Sequence, residues 1–443
     1  MVGVPIDAVT RAYLEAAGSP AAPLGRAVEQ VTGAASLATW AGQYLNRPLF
    51  VEEQPMRRFA DDLQRLLGLL LSLPERLFDG DLERFGDAVG VERERGALMR
   101  RLGVIPPACG RADIYDDGDG YRLLEFGIGS DHAGWDRSGE VPKAFLRDPA
   151  FAEFAAEHRL GYTHSPTELA NALRQVGGGD PVVVLAEGPG ALAEWSYTWS
   201  PLQQALRDAG FRCHLGELGD LSVRDGHVYM DGDRVDVVYR CFDTDQVLAD
   251  PDALTHAERI FKTHEAGNVV LFTPLETNLF CEKGCMTLLS DHLRSGCFSA
   301  EEQELIDRVI PWTRLLTADA ELVDQCRADR EHIILKPSGL FGGHGVVPGW
   351  ERTDAEWADA LRETAAAGAI VQRRVVPKPE PAIDADTGEL QTWRAVYGFY
   401  YTPLGFAGIH ARVAPEDRSA VIGLATNDSV RSAGVFHIGT DPR

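Results

Sequence analysis

Lys336 stands at the end of a short apolar stretch, directly before a glycine-rich segment. Residues 334–347 read ILKPSGLFGGHGVV. A lysine held at a strand end supplies a positive charge, and glycines let backbone N–H groups approach a ligand closely. This combination is suited to holding the oxygens of a polyphosphate, although the phosphate-loop pattern G-x-x-x-x-G-K-[ST] is absent. The alternative interpretation is a plain surface turn.

A second group of chemically useful residues lies in GRADIYDDGDGYRLLEFGIG, residues 110–129. A polar turn with two glycines separates two apolar stretches, which predicts a pair of neighbouring strands. Arg111, Asp113 and Glu125 lie on these strands. Apolar residues flank the two acids, unlike the solvated acids of the turn, so they are candidates to share a Mg²⁺ ion.

A third segment, AIVQRRVVP at 369–377, reads as a strand whose central residues could present backbone groups to an adenine edge. Taken alone, a core strand is the better interpretation. A nucleotide contact becomes a better-supported interpretation of this segment because its separation from Lys336 along the chain allows the two strands to be neighbours.

The elements that must position these residues divide the chain into four parts. An apolar repeat of three and four in 57–78 predicts a helical lobe over 1–105. Residues 106–160 carry the candidate acids. Residues 161–280 contain the apolar strands PVVVLAE and NVVLFTP and a helix starting near Ser200, which predicts an α/β lobe with a parallel sheet. Helices and strands alternate again in 281–443.

Composition limits the classes of molecule that the protein is expected to bind. The net charge of −24 opposes binding to nucleic acid or to an anionic membrane, so small-molecule substrates are favoured. No apolar run is long enough to span a bilayer, and no targeting segment opens the chain, which predicts a cytoplasmic protein. The seven cysteines are dispersed, which predicts reduced structural thiols; a metal or redox pair in CEKGC, 281–285, is the alternative.

Taken together, these motifs resemble the synthetase domain of glutathionylspermidine synthase, a permuted member of the ATP-grasp superfamily. The shared features follow in the same order over 106–443: R-x-D-x11-E, EKGCMTLL, ILKP with GGHG, IVQRRVVPKPEP and GFAGIHAR. The resemblance implies a mixed α/β (α+β) ATP-grasp-type fold with a parallel-sheet pre-ATP-grasp lobe. The N-terminal helical lobe matches only loosely.

The resemblance also implies roles for individual residues. Asp113 and Glu125 would bind Mg²⁺. Arg111 would face the reacting phosphate or carboxylate, and Arg412 would steady the transferred phosphoryl group.

The remaining implied contacts are with ATP. Lys283 and Lys336 would bind its phosphates, and Gln372 would lie beside the nucleotide in the hinge strand. The mobile lid would be formed by three glycines: Gly342, Gly343 and Gly345. His344, between them, is either near phosphate or a solvent-facing loop residue.

One position departs from the family pattern. The family has E-x-N, whose asparagine is a further metal ligand, whereas this chain has EFG with Gly127. Glycine offers no side-chain oxygen, so a water molecule, Asp131 or another group must complete the coordination. Asn427 and Asp428 are alternatives, although such a pair is more often a turn.

The implied activity is an ATP-dependent carboxylate–amine ligase that forms an amide through an acyl phosphate. Two alternatives remain: an ATP-binding module without ligase chemistry, which Gly127 favours, and a kinase that phosphorylates a hydroxyl. Arg240 and Asp243 are candidates for binding a charged acid or amine, and an interdomain salt bridge is the competing interpretation.

Overall fold

The structure is a computed structural model. It describes residues 6–18, 22–40, 44–103, 109–291, 295–317, 320–340, 342–384, 388–418, 420–424 and 427–439. Within these ranges, no helix has the length and apolar character needed to cross a membrane.

The helices, in chain order, are α1 (Ala8–Ala17), α2 (Glu29–Thr32), α3 (Glu53–Leu71), α4 (Leu73–Phe78), α5 (Leu82–Val89), α6 (Arg93–Arg101), α7 (Trp135–Phe145), α8 (Pro149–Glu157), α9 (Ser165–Gly177), α10 (Leu192–Asp208), α11 (Thr244–Ala249), α12 (Pro251–Glu265), α13 (Thr277–Cys281), α14 (Gly284–Asp291), α15 (Ala300–Val309), α16 (Ala320–Ala328) and α17 (Asp354–Ala367).

The strands are β1 (Leu49–Glu52), β2 (Gly110–Asp116), β3 (Tyr121–Ile128), β4 (Leu160–Gly161), β5 (Val183–Glu187), β6 (Cys213–Glu217), β7 (Ser222–Arg224), β8 (His227–Met230), β9 (Asp233–Val235), β10 (Val237–Arg240), β11 (Val270–Phe272), β12 (Thr313–Leu316), β13 (Ile333–Pro337), β14 (Val347–Pro348), β15 (Ala369–Arg373), β16 (Pro379–Ile383), β17 (Leu390–Thr402), β18 (Gly405–Pro415), β19 (Arg431–Ala433) and β20 (Val435–Ile438). Two small sheets have the orders β1-β20-β4 and β7-β8-β9.

The predicted parallel sheet is confirmed. It has the order β11-β10-β5-β6, and every neighbouring pair in it is parallel. Each residue of β5 is buried, as expected for a strand covered on both faces. The β5–β6 connection runs through α10 and the β10–β11 connection through α11 and α12, as crossovers between parallel strands commonly do.

Two antiparallel sheets carry the candidate site. The larger has the order β19-β18-β17-β2-β3 with β16 beside β17, so segments far apart in sequence share one sheet. The smaller has the order β12-β15-β13-β14. The predicted pair β2–β3 is present and antiparallel, and β17 and β18 form a second antiparallel pair.

Helix α3 covers one face of the larger sheet. Its apolar residues recur every three to four positions, and the Phe59 ring lies 5.5 Å from that of Phe399 and 5.0 Å from that of Tyr121. Burial of this stripe orders the sheet from the face opposite the site. The division into four domains remains a prediction.

Helix α10 begins earlier than its sequence signals indicate. Its first residue is Leu192, and Pro201 lies inside it rather than at its start. A proline inside a helix removes one backbone hydrogen bond. Trp199, two residues before the proline, is buried and donates to Glu187 Oε2 at 2.6 Å, a contact with β5 that stabilises this part of the helix.

Candidate functional site

Lys336 is the fourth residue of the five-residue strand β13 and is almost fully buried. Its Nζ donates to Gln372 Oε1 at 2.7 Å and to the Leu124 carbonyl at 2.9 Å, which joins the two antiparallel sheets. Burial lowers the pKa of Lys336 to about 8, against the opposing effect of Glu125. The protein therefore holds a desolvated cation at a fixed point.

Gln372 lies on β15, beside β13, as the two-strand interpretation requires. Its side chain lines the same cavity as Lys336. Its amide nitrogen donates to Thr313 Oγ1 at 3.1 Å while its oxygen accepts from Lys336. The side chain of Gln372 thus orients the lysine.

Asp113 and Glu125 face each other directly across the β2–β3 pair, so both carboxylates lie on one face of the sheet. Arg111 binds Asp113 through two nitrogens, at 2.8 and 3.2 Å, and Arg412 Nη2 donates to Asp113 Oδ2. Burial alone would favour the neutral acid, but the two guanidinium groups hold the pKa of Asp113 well below its usual value. Asp113 is therefore ionised at neutral pH.

Lys283 lies between helices α13 and α14 and is buried. Its Nζ is 3.8 Å from Glu125 Oε1 and also donates to the Leu340 carbonyl in the glycine-rich segment. The neighbouring Glu282 accepts from the Gly339 N–H at 3.2 Å. The helix junction thus contacts both the acid pair and the start of the glycine segment.

The three predicted lid glycines have positive φ values: 66° at Gly342, 87° at Gly343 and 68° at Gly345. Residues with a side chain rarely adopt this backbone conformation. A Cβ on Gly345 would come within 2.8 Å of Pro337 Cγ, which shows that the segment folds back on the end of β13. His344 is exposed.

A cavity of about 760 Å³ brings most of the predicted residues together. It is lined by Arg111, Asp113, Glu125, Lys336, Gly342, Gly343, Gln372 and Arg412. Lys283 and Gly345 do not line it, although each contacts a segment that does. Lys336 and the acid pair, Asp113 and Glu125, therefore share one cavity, as binding of a single nucleotide by all three would require.

The space above Gly127 is occupied. A Cβ at this position would lie 2.1 Å from His132 Nε2 and 2.9 Å from the Arg111 carbonyl, so only glycine fits. His132 lines the cavity. The sequence carries no signal for a role of this histidine, because nothing in the local pattern indicates that the loop after β3 turns back over the strand.

The substitutes considered for the missing asparagine are engaged elsewhere. Asp131 lines the cavity, but its carboxylate accepts from Arg240 at 3.0 and 3.2 Å and from Asn278 at 3.2 Å. The Asn427 side chain accepts from the Ser429 N–H at 3.0 Å in a local turn and does not line the cavity.

Arg240 and Asp243 have different surroundings. Arg240 is fully buried, donates to the carbonyls of Phe242 and Thr273 and forms a salt bridge with Asp131, so its surroundings favour a structural role. Asp243 lines the cavity and caps α11, and burial raises its pKa. Of these two candidates, Asp243 lines the cavity and Arg240 does not.

Replacing Arg240 by methionine is expected to destabilise the fold by about 3–5 kcal/mol, because Asp131 would remain as an uncompensated buried charge. Urea unfolding measures the change. Arg234→Met is the control, since its ion pair with Asp236 is largely exposed and should contribute less than about 1 kcal/mol. Equal effects of the two substitutions would contradict a structural role for Arg240.

The parallel-sheet lobe and the hinge add residues that sequence analysis did not select. Glu187 at the end of β5 and Trp195 and Trp199 on α10 line the cavity. Arg374 and Trp350 line it as well, and the Arg374 guanidinium lies 4.1 Å from the centre of the Trp350 ring. The carboxyl ends of parallel strands are a common place for ligands.

All seven cysteines are free. Burial raises the pKa of both Cys281 and Cys285 well above that of an ordinary thiol, so they are neutral and poor metal ligands. Among the described residues, no three His, Cys, Asp or Glu side chains form a ready-made metal cluster. A metal or redox pair in CEKGC therefore gains no support.

The comparisons with known proteins agree with this architecture. Residues 148–371 match the family described as a circularly permuted ATP-grasp. A glutathione synthetase-like effector from Globodera pallida, solved in its apo form, shares the fold at a TM-score of 0.57 and 11% identity, with 89% of this chain and 90% of that chain covered.

A second solved structure, D-alanyl-alanine synthetase A from Vibrio cholerae, has a TM-score of 0.30 and 16% identity, with 57% of this chain and 74% of that chain covered. No curated protein matches. The family match includes Lys283 and Lys336, and it covers half of the sequence. The chain therefore belongs to the circularly permuted ATP-grasp family.

Proposed function

We propose that this protein is an ATP-dependent carboxylate–amine ligase that joins small molecules, or peptide-like substrates, through an acyl phosphate. The observation that supports it most directly is the shared cavity: Lys336 enters from one antiparallel sheet, and Arg412 and the acid pair enter from the other. A nucleotide held between two sheets would meet cations from both sides.

In this proposal ATP lies with its phosphates between Lys336 and Arg412. Trp350 and the hinge residues after Gln372 line the cavity, and we assign them to the adenine. Lys336 bridges the sheets through Leu124, so its charge is positioned before nucleotide arrives. Preorganised charges stabilise a transferring phosphoryl group without a reorganisation cost.

The residues present fit a magnesium ion that enters with ATP. Glu125 is partly exposed toward the cavity, and Asp113 is ionised beside it. Mg²⁺ in nucleotide enzymes commonly takes one or two carboxylates and completes its coordination with phosphates and water. Held by Asp113 and Glu125, the ion would supply positive charge that neutralises part of the phosphate charge.

A carboxylate does not condense with an amine at neutral pH, because it lacks a good leaving group. Arg412 and Arg111 are placed to offset charge while the γ-phosphoryl group passes to the substrate carboxylate. The glycine segment would exclude water from the acyl phosphate until the amine attacks. The amide, ADP and phosphate would then leave.

The test combines binding with product analysis. Isothermal titration at millimolar Mg-ATP should show nucleotide binding. Acid and amine panels should show ADP release that requires both partners, and hydroxylamine should trap the acyl phosphate as a hydroxamate. A stable phosphorylated alcohol would instead indicate a kinase, and binding without turnover on any pair would indicate a noncatalytic module.

Affinity for ATP should fall as the pH rises above about 8, because only the ammonium form of Lys336 opposes phosphate charge and burial lowers its pKa to about 8. Below this pH the free protein already carries the proton. Above it, binding must take up a proton and weakens by up to about tenfold per pH unit. Titration in buffers of different ionisation enthalpy measures this uptake, and a flat profile would contradict it.

A further inference from the structure

The ring of His132 lies over Gly127, where a side chain would otherwise stand. Its Nε2 and Cδ2 are 2.1 and 2.6 Å from the Cβ position of Gly127. Gly127 follows Glu125 by two residues on β3, so this Cβ position lies on the same face of the sheet as the Glu125 carboxylate. The His132 ring therefore lies on the face of the sheet that carries Asp113 and Glu125.

The orientation of the ring leaves Nε2 as an acceptor. His132 Nδ1 lies 3.2 Å from the Gly129 carbonyl, which can only accept, so Nδ1 carries the proton of the neutral ring. Within the described part of the chain, Nε2 has no hydrogen-bond partner. The side chain is 20% exposed and lines the cavity.

The loop that carries His132 is held on both sides. The preceding residue, Asp131, is bound by Arg240. The following carbonyl, that of Ala133, accepts from Arg111 Nη1 at 3.0 Å and from the Tyr400 hydroxyl. A ring fixed in this way can serve as a ligand with little loss of side-chain entropy.

Nε2 also fills the space that a side chain at position 127 would enter. Of the atoms packed against the Cβ position of Gly127, His132 Nε2 is the nearest, at 2.1 Å. We propose that His132 Nε2 replaces the asparagine oxygen as a ligand, beside Glu125, of the divalent cation that enters with the nucleotide. This inference rests on the proposed nucleotide-binding function.

A nitrogen ligand changes the preference of the site. Imidazole favours first-row transition metals, whereas an amide oxygen suits Mg²⁺. The site should therefore bind Mn²⁺ more strongly, relative to Mg²⁺, than a site with oxygen ligands alone. The remaining ligands would come from phosphates and water.

Pulsed electron paramagnetic resonance on the full chain with Mn²⁺ and ATP tests this inference. The wild type should show phosphorus coupling from the nucleotide and nitrogen coupling from imidazole, and ¹⁵N-histidine labelling should shift the latter. His132→Ala should lose the histidine coupling, keep the phosphorus coupling and bind Mn²⁺ about 10- to 100-fold more weakly. His132→Gln, which restores an oxygen acceptor, should recover Mg²⁺ affinity more than Mn²⁺ affinity.

His256→Ala, on α12 and outside the cavity lining, is the matched control and should behave as the wild type. Phosphorus coupling without histidine coupling in the wild type would overturn the ligand assignment alone. Histidine coupling that persists in His132→Ala would do the same. A failure of Mn²⁺ and ATP to bind at all would overturn both this assignment and the proposed function.

Discussion

Replacing Arg412 by methionine is expected to slow ATP turnover about a thousandfold, while ATP binding changes only a few-fold. Arg412 projects from β18 to Asp113, its side chain is only 12% exposed, and it lines the cavity. An arginine in this position acts mainly on charge that develops during phosphoryl transfer. Steady-state kinetics of ADP release and isothermal titration separate the two effects.

Arg431→Met is the matched control for Arg412. Arg431 lies on the adjacent strand β19, opposite Val413, and does not line the cavity. Because neighbouring residues of a strand point to opposite faces, its cross-strand position is on the other face from Arg412. Similar losses in both variants would show that Arg412 acts through the stability of the sheet and not through the reacting phosphate.

Lys336→Met is expected to weaken ATP binding by about 10- to 150-fold, the loss of roughly 1.5–3 kcal/mol of charge-assisted hydrogen bonding. Turnover should fall further, since the same charge opposes the transferring phosphoryl group. Methionine has a similar length and removes a charge that is costly to bury, so the melting temperature should change by only a few degrees. Titration calorimetry and thermal unfolding measure both quantities.

Lys143→Met controls for the loss of a lysine. Its side chain is 43% exposed and pairs with Glu140, and neither residue lines the cavity, so the substitution should leave ATP affinity unchanged. An unaltered affinity in Lys336→Met would remove this lysine from the nucleotide site. A large drop in melting temperature for Lys336→Met alone would assign it a structural role.

Several elements follow from local sequence. The turn DDGDG between two apolar stretches predicts the β2–β3 pair, and the structure places Asp113 opposite Glu125 as that pairing requires. The valine-rich stretch before Glu187 predicts a buried parallel strand, which β5 is. Strand alternation and turn chemistry are short-range effects, so they can be recognised within about ten residues.

Other elements depend on partners that local patterns do not contain. Local signals predict that α10 starts near Ser200, but the helix begins at Leu192, and the contact of Trp199 with Glu187 stabilises the turn before Pro201. A proline is a reliable helix-start signal only when no tertiary contact offsets its missing hydrogen bond.

The sequence by itself determined the residue types available for phosphate and metal chemistry, the order of their motifs and the strands that carry them. Tertiary structure alone decided which groups meet: Asp113 contacts Arg412, 299 residues away, and Lys336 contacts the Leu124 carbonyl, 212 residues away. It also placed His132 over Gly127 and committed Asp131 to Arg240. Hydrogen bonds and ion pairs act over a few ångströms, so their partners are set by how the chain packs and not by the spacing of residues along it.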